Sequence, residues 1–469
     1  MAAILHNATI ITPAETGVCV RAGHSLVFGD GRVLESGPAT AFAERLERGE
    51  FHQVVPGEQH VVIPGLVNGH HHLYQSLTRC LPAVQNLPLF PWLRGLYEHW
   101  RTLDYRAVRA AAAVSLAELL LHGCTTTSDH FYMFPAGSDV RMEAVLEVAE
   151  ELGIRLHLCR GSMTLGHSRG GLPPDDCVER DEDVLRDCVR VLEAYHDPAP
   201  YAMRRIDLAP CSPFNVTREL LRDTLTLGRQ YGVLLHTHLA ETLAEERFCL
   251  ERYGCRPVQY LADLGWLGPD VYLAHCVWLT EAETALLGQT RTGVVHCPTS
   301  NMRLGSGMAA VAALLHAGAR VGLGVDGSSS QDGGNLLAEM KQALLSARVR
   351  PVLADRDAAG TDQELFPAAA AFRLATAGSA ACLNRPELGH LNPGAAADFA
   401  MLRADDVALA GAIVHDPLAA LVLGAPPRCD RVFVGGREVV SAGRLVTLDE
   451  TRLARELNEI VAQRFGCAR

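Results

Sequence analysis

The chain has 469 residues, of which 48% are hydrophobic and 20% are charged, and its formal net charge is −12. This composition is typical of a folded globular protein and excludes the fibrous and intrinsically disordered classes. An acidic surface repels the phosphates of nucleic acids and of anionic membranes, so we expect neither as a partner. A small neutral substrate is compatible with this charge.

The cysteines indicate a reducing compartment. None of the 14 forms a Cys-x-x-Cys pair, and several lie in apolar runs, where a reduced cysteine acts as a small hydrophobe. We therefore predict a cytoplasmic protein. The first residues lack the basic and apolar regions of a signal peptide, and no apolar run reaches the roughly 18 residues that a membrane-spanning helix needs.

Residues 1–65 and 386–469 are both rich in short β segments. The turns Gly29-Asp30-Gly31 and Gly435-Gly436 are each flanked by such segments, which is typical of hairpins. Because the two ends resemble each other and differ from the middle, the sequence predicts one small composite β-sandwich domain from both termini. A helix is predicted at 451–465, near the end of the chain.

The middle of the chain, residues 66–385, alternates short apolar segments with amphipathic ones. This α/β pattern favours a (β/α)₈ TIM barrel, although a doubly wound open sheet has a similar pattern. The barrel is preferred because polar residues follow widely separated strands, and a barrel brings all strand ends to one face. The predicted strands end near His72, Asp129, Arg160, Ser212, His238, His275, Pro298 and Asp326.

The connection at 73–104 is long for a barrel loop and carries several aromatic residues. Connections of this length in compact domains are usually lids or specificity loops. We therefore predict that this segment forms one wall of a binding cavity.

Histidines and one aspartate at the predicted strand ends form a metal-ligand pattern. His70 and His72 are two residues apart on a strand, so their side chains face the same side. His238 ends the fifth predicted strand, and Asp326 follows the eighth, where an unpaired carboxylate would be costly. Three imidazoles and one carboxylate suit Zn²⁺ or Fe²⁺.

Four motifs stand at the predicted strand ends: Pro64–His72, His238–Glu241, Ala274–Cys276 and Gly324–Gly327. In order and spacing they resemble the deaminase and chlorohydrolase branch of the amidohydrolase superfamily, and the resemblance covers essentially the whole chain. Further segments are His72–Arg79, Pro88–Leu93, Thr125–His130, Arg160–Met163, Gly170–Pro174 and Pro298–Gly307. Together these segments more closely resemble 8-oxoguanine deaminases, with related sequences labelled hydroxydechloroatrazine ethylaminohydrolases.

The resemblance implies a metal-dependent hydrolytic deaminase that releases ammonia from an aromatic nitrogen heterocycle. The implied substrate is 8-oxoguanine, converted to urate, or a related guanine-like base. The alternatives are a triazine, a pterin or a cytosine-like ring, hydrolysis of another bond such as carbon–chlorine, or a metal-binding scaffold without turnover. A homo-oligomer is expected, because association is common in this superfamily.

The resemblance also implies a role for each matching residue. One divalent ion, Zn²⁺ with Fe²⁺ as the alternative, would be bound by His70, His72, His238 and Asp326. Asp326 would also accept a proton from water. Glu241 would carry a proton to the ring nitrogen and the leaving amine, and His275 would orient the water and stabilise developing charge.

A single ion is expected because binuclear relatives carry a lysine at the end of the fourth strand. Here that strand ends Ala209-Pro210-Cys211-Ser212, without a lysine. His130 is then assigned to the pocket or to structure, and His236 to structure.

Substrate contacts are predicted from residue type and position. Gln75, Arg160 and Asn301 could bond the polar edges of a ring, with a salt bridge to a loop acid as the alternative for Arg160. Trp92 and Tyr132 could stack on its face, and Cys211 could line the cavity. A closed pocket of this kind predicts a preference for free bases over nucleosides.

Overall fold

The computed structural model describes residues 2–354, 365–424 and 428–466. Its strands are β1 (Ala3–Pro13), β2 (Val18–Gly29), β3 (Arg32–Pro38), β4 (Gln53–Pro56), β5 (His60–Pro64), β6 (Leu66–Asn68), β7 (Cys124–Phe131), β8 (Arg155–Ser162), β9 (Arg204–Pro210), β10 (Leu235–Leu239), β11 (Val271–His275), β12 (Gly293–His296), β13 (Arg320–Leu323), β14 (Phe399–Arg403), β15 (Arg431–Val434), β16 (Arg437–Ser441) and β17 (Arg444–Leu445). Its helices are α1 (Ala43–Glu47), α2 (Leu89–Trp100), α3 (Tyr105–Leu121), α4 (Glu143–Leu152), α5 (Asp181–Tyr195), α6 (Arg218–Tyr231), α7 (Leu243–Tyr253), α8 (Pro257–Asp263), α9 (Glu281–Gln289), α10 (Pro298–Arg303), α11 (Val311–His316), α12 (Leu336–Ala354), α13 (Ala368–Arg373), α14 (Ser379–Cys382), α15 (Ala412–His415), α16 (Pro417–Leu423) and α17 (Glu450–Phe465).

Strands β6 to β13 form an eight-stranded parallel sheet in which each strand pairs with the next along the chain. The ring closes between its first and last strands. The amide of Gly69 donates to the carbonyl of Leu323 at 2.9 Å, and the amide of Asp326 donates to the carbonyl of His70 at 3.0 Å. The predicted barrel is therefore confirmed, and each of its eight predicted strands is present.

Helix starts in the barrel layer follow local capping chemistry. The side chains of Asp104, Thr217, Thr242 and Thr280 accept bonds from backbone amides in the first turns of α3, α6, α7 and α9. Such caps satisfy amides that have no partner within the helix. They therefore fix the residue at which each of these helices begins.

Strands from both termini build a second, nine-stranded sheet in the order β17-β16-β15-β14-β5-β1-β2-β3, with β4 paired to β1. The rings of Phe28 on β2 and Phe399 on β14 lie 5.3 Å apart, although two strands separate β2 from β14 in the sheet. Phe433 on β15 stacks on Phe399 at 4.5 Å. The sheet therefore folds over on itself around a shared core, as a composite sandwich does.

A buried ion pair joins this sheet to the barrel. Arg155 at the start of β8 binds Asp398 through two bonds, of 2.7 and 3.0 Å, and Asp398 also accepts from the amide of Gly435. Gly65 separates β5 of one sheet from β6 of the other. We propose that residues 1–65 and 386–469 form one domain and residues 66–385 the other.

No helix among the described residues is long and apolar enough to cross a membrane. Every cysteine in the described part of the chain is free. Cytoplasmic localisation and homo-oligomer formation stay predictions.

Gly324 lies at the seam where the barrel closes. A β-carbon added there would lie 2.9 Å from the β-carbon of His70 and 2.9 Å from Cγ1 of Val295. Real β-carbons essentially never approach other atoms so closely, so the seam requires glycine at this position.

Replacing Gly324 by alanine should lower the free energy of unfolding by about 1–3 kcal/mol, the usual cost of overpacking a core. Denaturant unfolding measures this change. Gly333→Ala is the matched control, because an added β-carbon there would have its nearest neighbours at 3.6 Å. Equal stability of the two variants would contradict this account of the seam.

Candidate active site

Five polar side chains from four strand ends converge on one face of the barrel. His70 and His72 follow β6, His238 lies on β10, His275 ends β11, and Asp326 follows β13, and all five are buried. This carboxyl-terminal face is where barrel enzymes carry their active sites. The adjoining cavity encloses about 420 Å³, including its opening to solvent, and is lined by His72, Gln75, Leu89, Trp92, Leu93, Tyr132, Cys211, Ser212, Phe214, Asn215, His238, Glu241, His275, Leu304, Asp326 and Ser330.

Several of these strand ends have strained backbones. His275 and Asp326 adopt φ values of 73° and 66°, and Ala240, just before Glu241, has a φ of 51°. Positive φ is uncommon for residues other than glycine, and it persists only where the surrounding structure enforces it. Strain of this kind clusters at functional sites, which agrees with the convergence of polar groups here.

Backbone carbonyls fix the tautomers of His72 and His238. Nδ1 of His72 lies 2.7 Å from the carbonyl of His130, and Nδ1 of His238 lies 2.6 Å from the carbonyl of Cys211. Because a carbonyl can only accept, each Nδ1 carries the proton and each Nε2 presents a lone pair. The two Nε2 atoms face each other at 3.1 Å. Two lone pairs at this distance repel unless a cation lies between them.

His70 and Asp326 lie beside the Nε2 atoms of His72 and His238. Nε2 of His70 is buried without a hydrogen-bond partner and lies 3.5 Å from Oδ1 of Asp326. The same Oδ1 lies 3.4 Å from Nε2 of His72. A tetrahedral zinc ion with bonds of about 2.0–2.1 Å has ligand atoms about 3.3–3.4 Å apart. The four side chains therefore fit one divalent cation.

The charge states of these groups also suit a metal. Burial lowers the pKa of His70, His72 and His238, which keeps them in the neutral form that metal ligation requires. Burial opposes ionisation of Asp326, but the surrounding His70, His275 and His72 hold the pKa of its carboxyl well below the usual value. Asp326 is therefore a carboxylate at neutral pH.

Glu241 and His275 form a buried pair of titratable side chains beside the three histidines and Asp326. Oε2 of Glu241 lies 3.7 Å from Nε2 of His275, which is also 3.9 Å from Oδ2 of Asp326. Burial raises the pKa of Glu241. Burial would lower the pKa of His275, but the nearby Glu241 and Asp326 raise it above its ordinary value. Both pKa shifts are upward, so each group can gain or lose a proton closer to neutral pH, as a general acid or base requires.

Glu245 supports this pair and was not predicted. Its two carboxylate oxygens accept from the amides of Ala240 and Glu241, each at 2.8 Å. Burial raises its pKa to about 7. The spacing Thr242-x-x-Glu245 is the pattern of a helix capping box and could have singled out this position. In the structure the carboxylate instead holds the strained backbone that carries Glu241.

The proposed substrate contacts Gln75, Trp92, Tyr132 and Cys211 all line the cavity. Trp92 lies on α2, within the long connection predicted to form a wall, together with Leu89 and Leu93. Ser212 also lines the cavity, and its hydroxyl is buried without a partner.

Arg160, also predicted as a substrate contact, does not line this cavity. Its guanidinium binds Glu179 and Asp187, each at 2.6 Å, and lies over the ring of Phe134. The alternative interpretation, a salt bridge to a neighbouring acid, describes its place in the structure.

Asn301, the last of the predicted substrate contacts, lies beside His275. It lies on α10, does not line the cavity, and accepts a bond from Nδ1 of His275 through Oδ1 at 2.9 Å. This bond places the proton on Nδ1 and directs Nε2 of His275 towards Glu241 and Asp326. Asn301 therefore orients His275 in this structure.

Comparison with known proteins agrees with this geometry. Residues 61–439 match the amidohydrolase family. The chain is 45% identical to an 8-oxoguanine deaminase of Pseudomonas aeruginosa, covering 91% of this chain and 92% of that protein. It is 38% identical to a hydroxydechloroatrazine ethylaminohydrolase of Pseudomonas sp. strain ADP, covering 84% and 80%. The crystal structure of atrazine chlorohydrolase TrzN from Arthrobacter aurescens TC1 complexed with zinc superposes with a TM-score of 0.90 at 32% identity, covering 98% of this chain and 100% of that one.

These matches extend over nearly the whole chain and include both the barrel and the terminal sheet. The chain therefore belongs to the amidohydrolase family and is a hydrolase that acts on carbon–nitrogen bonds.

Proposed function

We propose that this protein is a metal-dependent deaminase that releases ammonia from 8-oxoguanine and forms urate. The observation that carries the proposal is the convergence of the Nε2 atoms of three histidines and the Asp326 carboxylate beside the pair Glu241 and His275. One Zn²⁺ per chain is proposed, with Fe²⁺ as the alternative. The 45% identity to a protein named 8-oxoguanine deaminase supports the choice of ring.

The cavity contains unpaired polar groups that a ligand must satisfy. Oε1 of Gln75, Nε1 of Trp92 and Oγ of Ser212 are buried without partners, and all three residues line the cavity. Leaving such groups unpaired in the bound state costs about 1–3 kcal/mol each. A guanine-like base with ring N–H donors and carbonyl acceptors offers partners for an amide oxygen, an indole N–H and a hydroxyl.

The reaction replaces a ring C–NH₂ group by C=O, with water as the oxygen source and ammonia as the product. When bound, the divalent ion supplies a water that is nucleophilic near neutral pH. As water attacks the ring carbon, it loses one proton to Asp326, and protonated Glu241 gives its proton to the adjacent ring nitrogen. Glu241 then takes the remaining hydroxyl proton and passes it to the amine, which leaves as ammonia while C=O forms, and the proton on Asp326 returns Glu241 to its starting state. His275 in its doubly protonated form, which its raised pKa favours, donates to the developing negative charge through Nε2.

A proton relay distinguishes amine release from halide release. The amino group must receive a proton before it can leave as ammonia, whereas chloride leaves as an anion and needs no proton. The acid at position 326 and the raised pKa of Glu241 therefore favour a deaminase over a chlorohydrolase. The second candidate is the same chemistry on a triazine, pterin or cytosine-like ring, which the similarity to hydroxydechloroatrazine ethylaminohydrolase supports.

Ammonia release from a panel of substrates tests the proposed ring. The panel contains 8-oxoguanine, guanine, guanosine, isocytosine, pterin, cytosine and an amino-hydroxytriazine, each with zinc-loaded protein. We expect the highest kcat/KM for 8-oxoguanine and slower turnover of guanosine, because the partly closed cavity leaves little room for ribose. A higher kcat/KM for another ring would contradict the proposed substrate but not the proposed mechanism. Faster turnover of guanosine would contradict the predicted preference for free bases.

The variant His238→Ala should lose zinc, because it removes one of three imidazole ligands and its Nε2 lone pair. Zinc content after dialysis against a weak chelator measures the loss. His167→Ala makes the same change at an exposed histidine and should retain zinc. Full zinc occupancy in His238→Ala would show that this histidine is not a ligand.

The variant Glu241→Gln should keep zinc but lower kcat by about 10²–10⁴-fold, the usual contribution of a positioned proton donor. The amide keeps the size of the carboxyl and cannot relay a proton. Glu246→Gln is the control, because Glu246 is paired with Arg256 by a salt bridge and does not line the cavity. Turnover of Glu241→Gln close to that of Glu246→Gln would remove Glu241 from the mechanism.

A further inference from the structure

We propose that His236 is a positioning residue that fixes the tautomer of His70, and thereby the direction of the lone pair that His70 offers to the metal. This inference rests on the metal site of the proposed function. It assigns a role to a buried histidine that does not line the cavity and that the mechanism above does not use.

The proton positions follow from a chain of two hydrogen bonds. Nδ1 of His236 lies 2.7 Å from the backbone carbonyl of Tyr272. Because the carbonyl only accepts, this Nδ1 carries the proton, and Nε2 of His236 has a lone pair. Nδ1 of His70 lies 2.8 Å from that Nε2. His70 must therefore donate from Nδ1, which leaves its own Nε2 unprotonated and facing Asp326.

His70 differs in this respect from the other two histidine ligands. His72 and His238 each donate directly to a backbone carbonyl. Among the described residues, the one hydrogen-bond partner of Nδ1 of His70 is the ring of His236. The Tyr272 carbonyl fixes the proton on Nδ1 of His236, and Nε2 of His236 in turn fixes the proton on Nδ1 of His70. A substitution at position 236 can therefore break this relay.

The ring of His236 is held firmly in place. It stacks on the ring of Tyr272 with centroids 4.0 Å apart and an interplanar angle of 8°. The hydroxyl of Tyr272 donates to Asp207 at 3.0 Å, and Asp207 also pairs with His157 at 3.1 Å. This buried network below the metal site keeps the acceptor of His236 aimed at His70.

His130 lies beside these two rings but cannot replace His236. Ring nitrogens of His70, His130 and His236 lie within 4.8 Å of one another, which raises the question of a second cation. Nε2 of His130 donates to the carbonyl of Ala209 at 2.8 Å. The His70 donor and the His236 acceptor already satisfy each other, so this group is a hydrogen-bonded relay.

The test compares His236→Asn with His236→Gln. Asparagine can place an amide near the Nδ1 position, where it can still donate to the Tyr272 carbonyl, but it has no atom that reaches the Nε2 position. The longer glutamine can bring an oxygen towards that position and accept from His70. Both variants keep a polar side chain at position 236, but only glutamine can still accept the hydrogen bond from Nδ1 of His70. A difference between them therefore reports the effect of that acceptor.

Zinc affinity, measured by competition with a chromogenic chelator and without substrate, is the readout. His236→Asn should weaken zinc binding about 10- to 100-fold, as the loss of a hydrogen-bond partner of a ligand typically does. His236→Gln should recover most of this loss. Wild-type affinity in His236→Asn would overturn the inference, as would equal losses in both variants, which would indicate a packing effect of the ring.

Neutron diffraction on the wild-type protein keeps the inference testable if either variant fails to fold. Deuterium is expected on Nδ1 of both His70 and His236 and not on Nε2 of His236. Deuterium on that Nε2 would overturn the relay. Absence of zinc binding by the wild-type protein would instead refute the proposed function, and the neutron map would still decide the proton positions.

Discussion

Closure of the barrel between β6 and β13 is the constraint on which the site depends. The amide of Asp326 donates to the carbonyl of His70, so two residues separated by most of the barrel sequence meet at a fixed distance. Gly324 permits this approach, because any side chain there would collide with His70. A backbone hydrogen bond that closes the fold thus also brings the carboxylate and the imidazole ligands together.

The hydrogen bonds around the ligands then determine what the converging side chains can do. Each proposed histidine ligand donates from Nδ1, and each therefore presents an unprotonated Nε2 to the same small volume. Burial keeps these rings neutral. In a second set of contacts, Glu245 holds the backbone of Glu241 and Asn301 orients His275, which places Glu241 and His275 beside these rings.

The sequence was sufficient to predict the barrel, its eight strands and the residues that converge at their ends. Strand periodicity and strand order determine which side chains share a face, and the histidines and Asp326 follow from that alone. Hydrogen-bond partners from distant segments are not contained in any local pattern. Arg160 shows the difference, since Glu179 and Asp187 hold it away from the cavity that its strand position predicted. Glu245 and Asn301 act through backbone and side-chain bonds that appear only once the loops are folded.

Anomalous X-ray diffraction at the zinc edge, from crystals of the zinc-loaded protein, tests the central claim most directly. The account predicts one peak per chain, about 2.0–2.2 Å from Nε2 of His70, His72 and His238, with Asp326 as the oxygen ligand. A peak coordinated instead by His130 and His236, or two peaks of equal height in one chain, would contradict it.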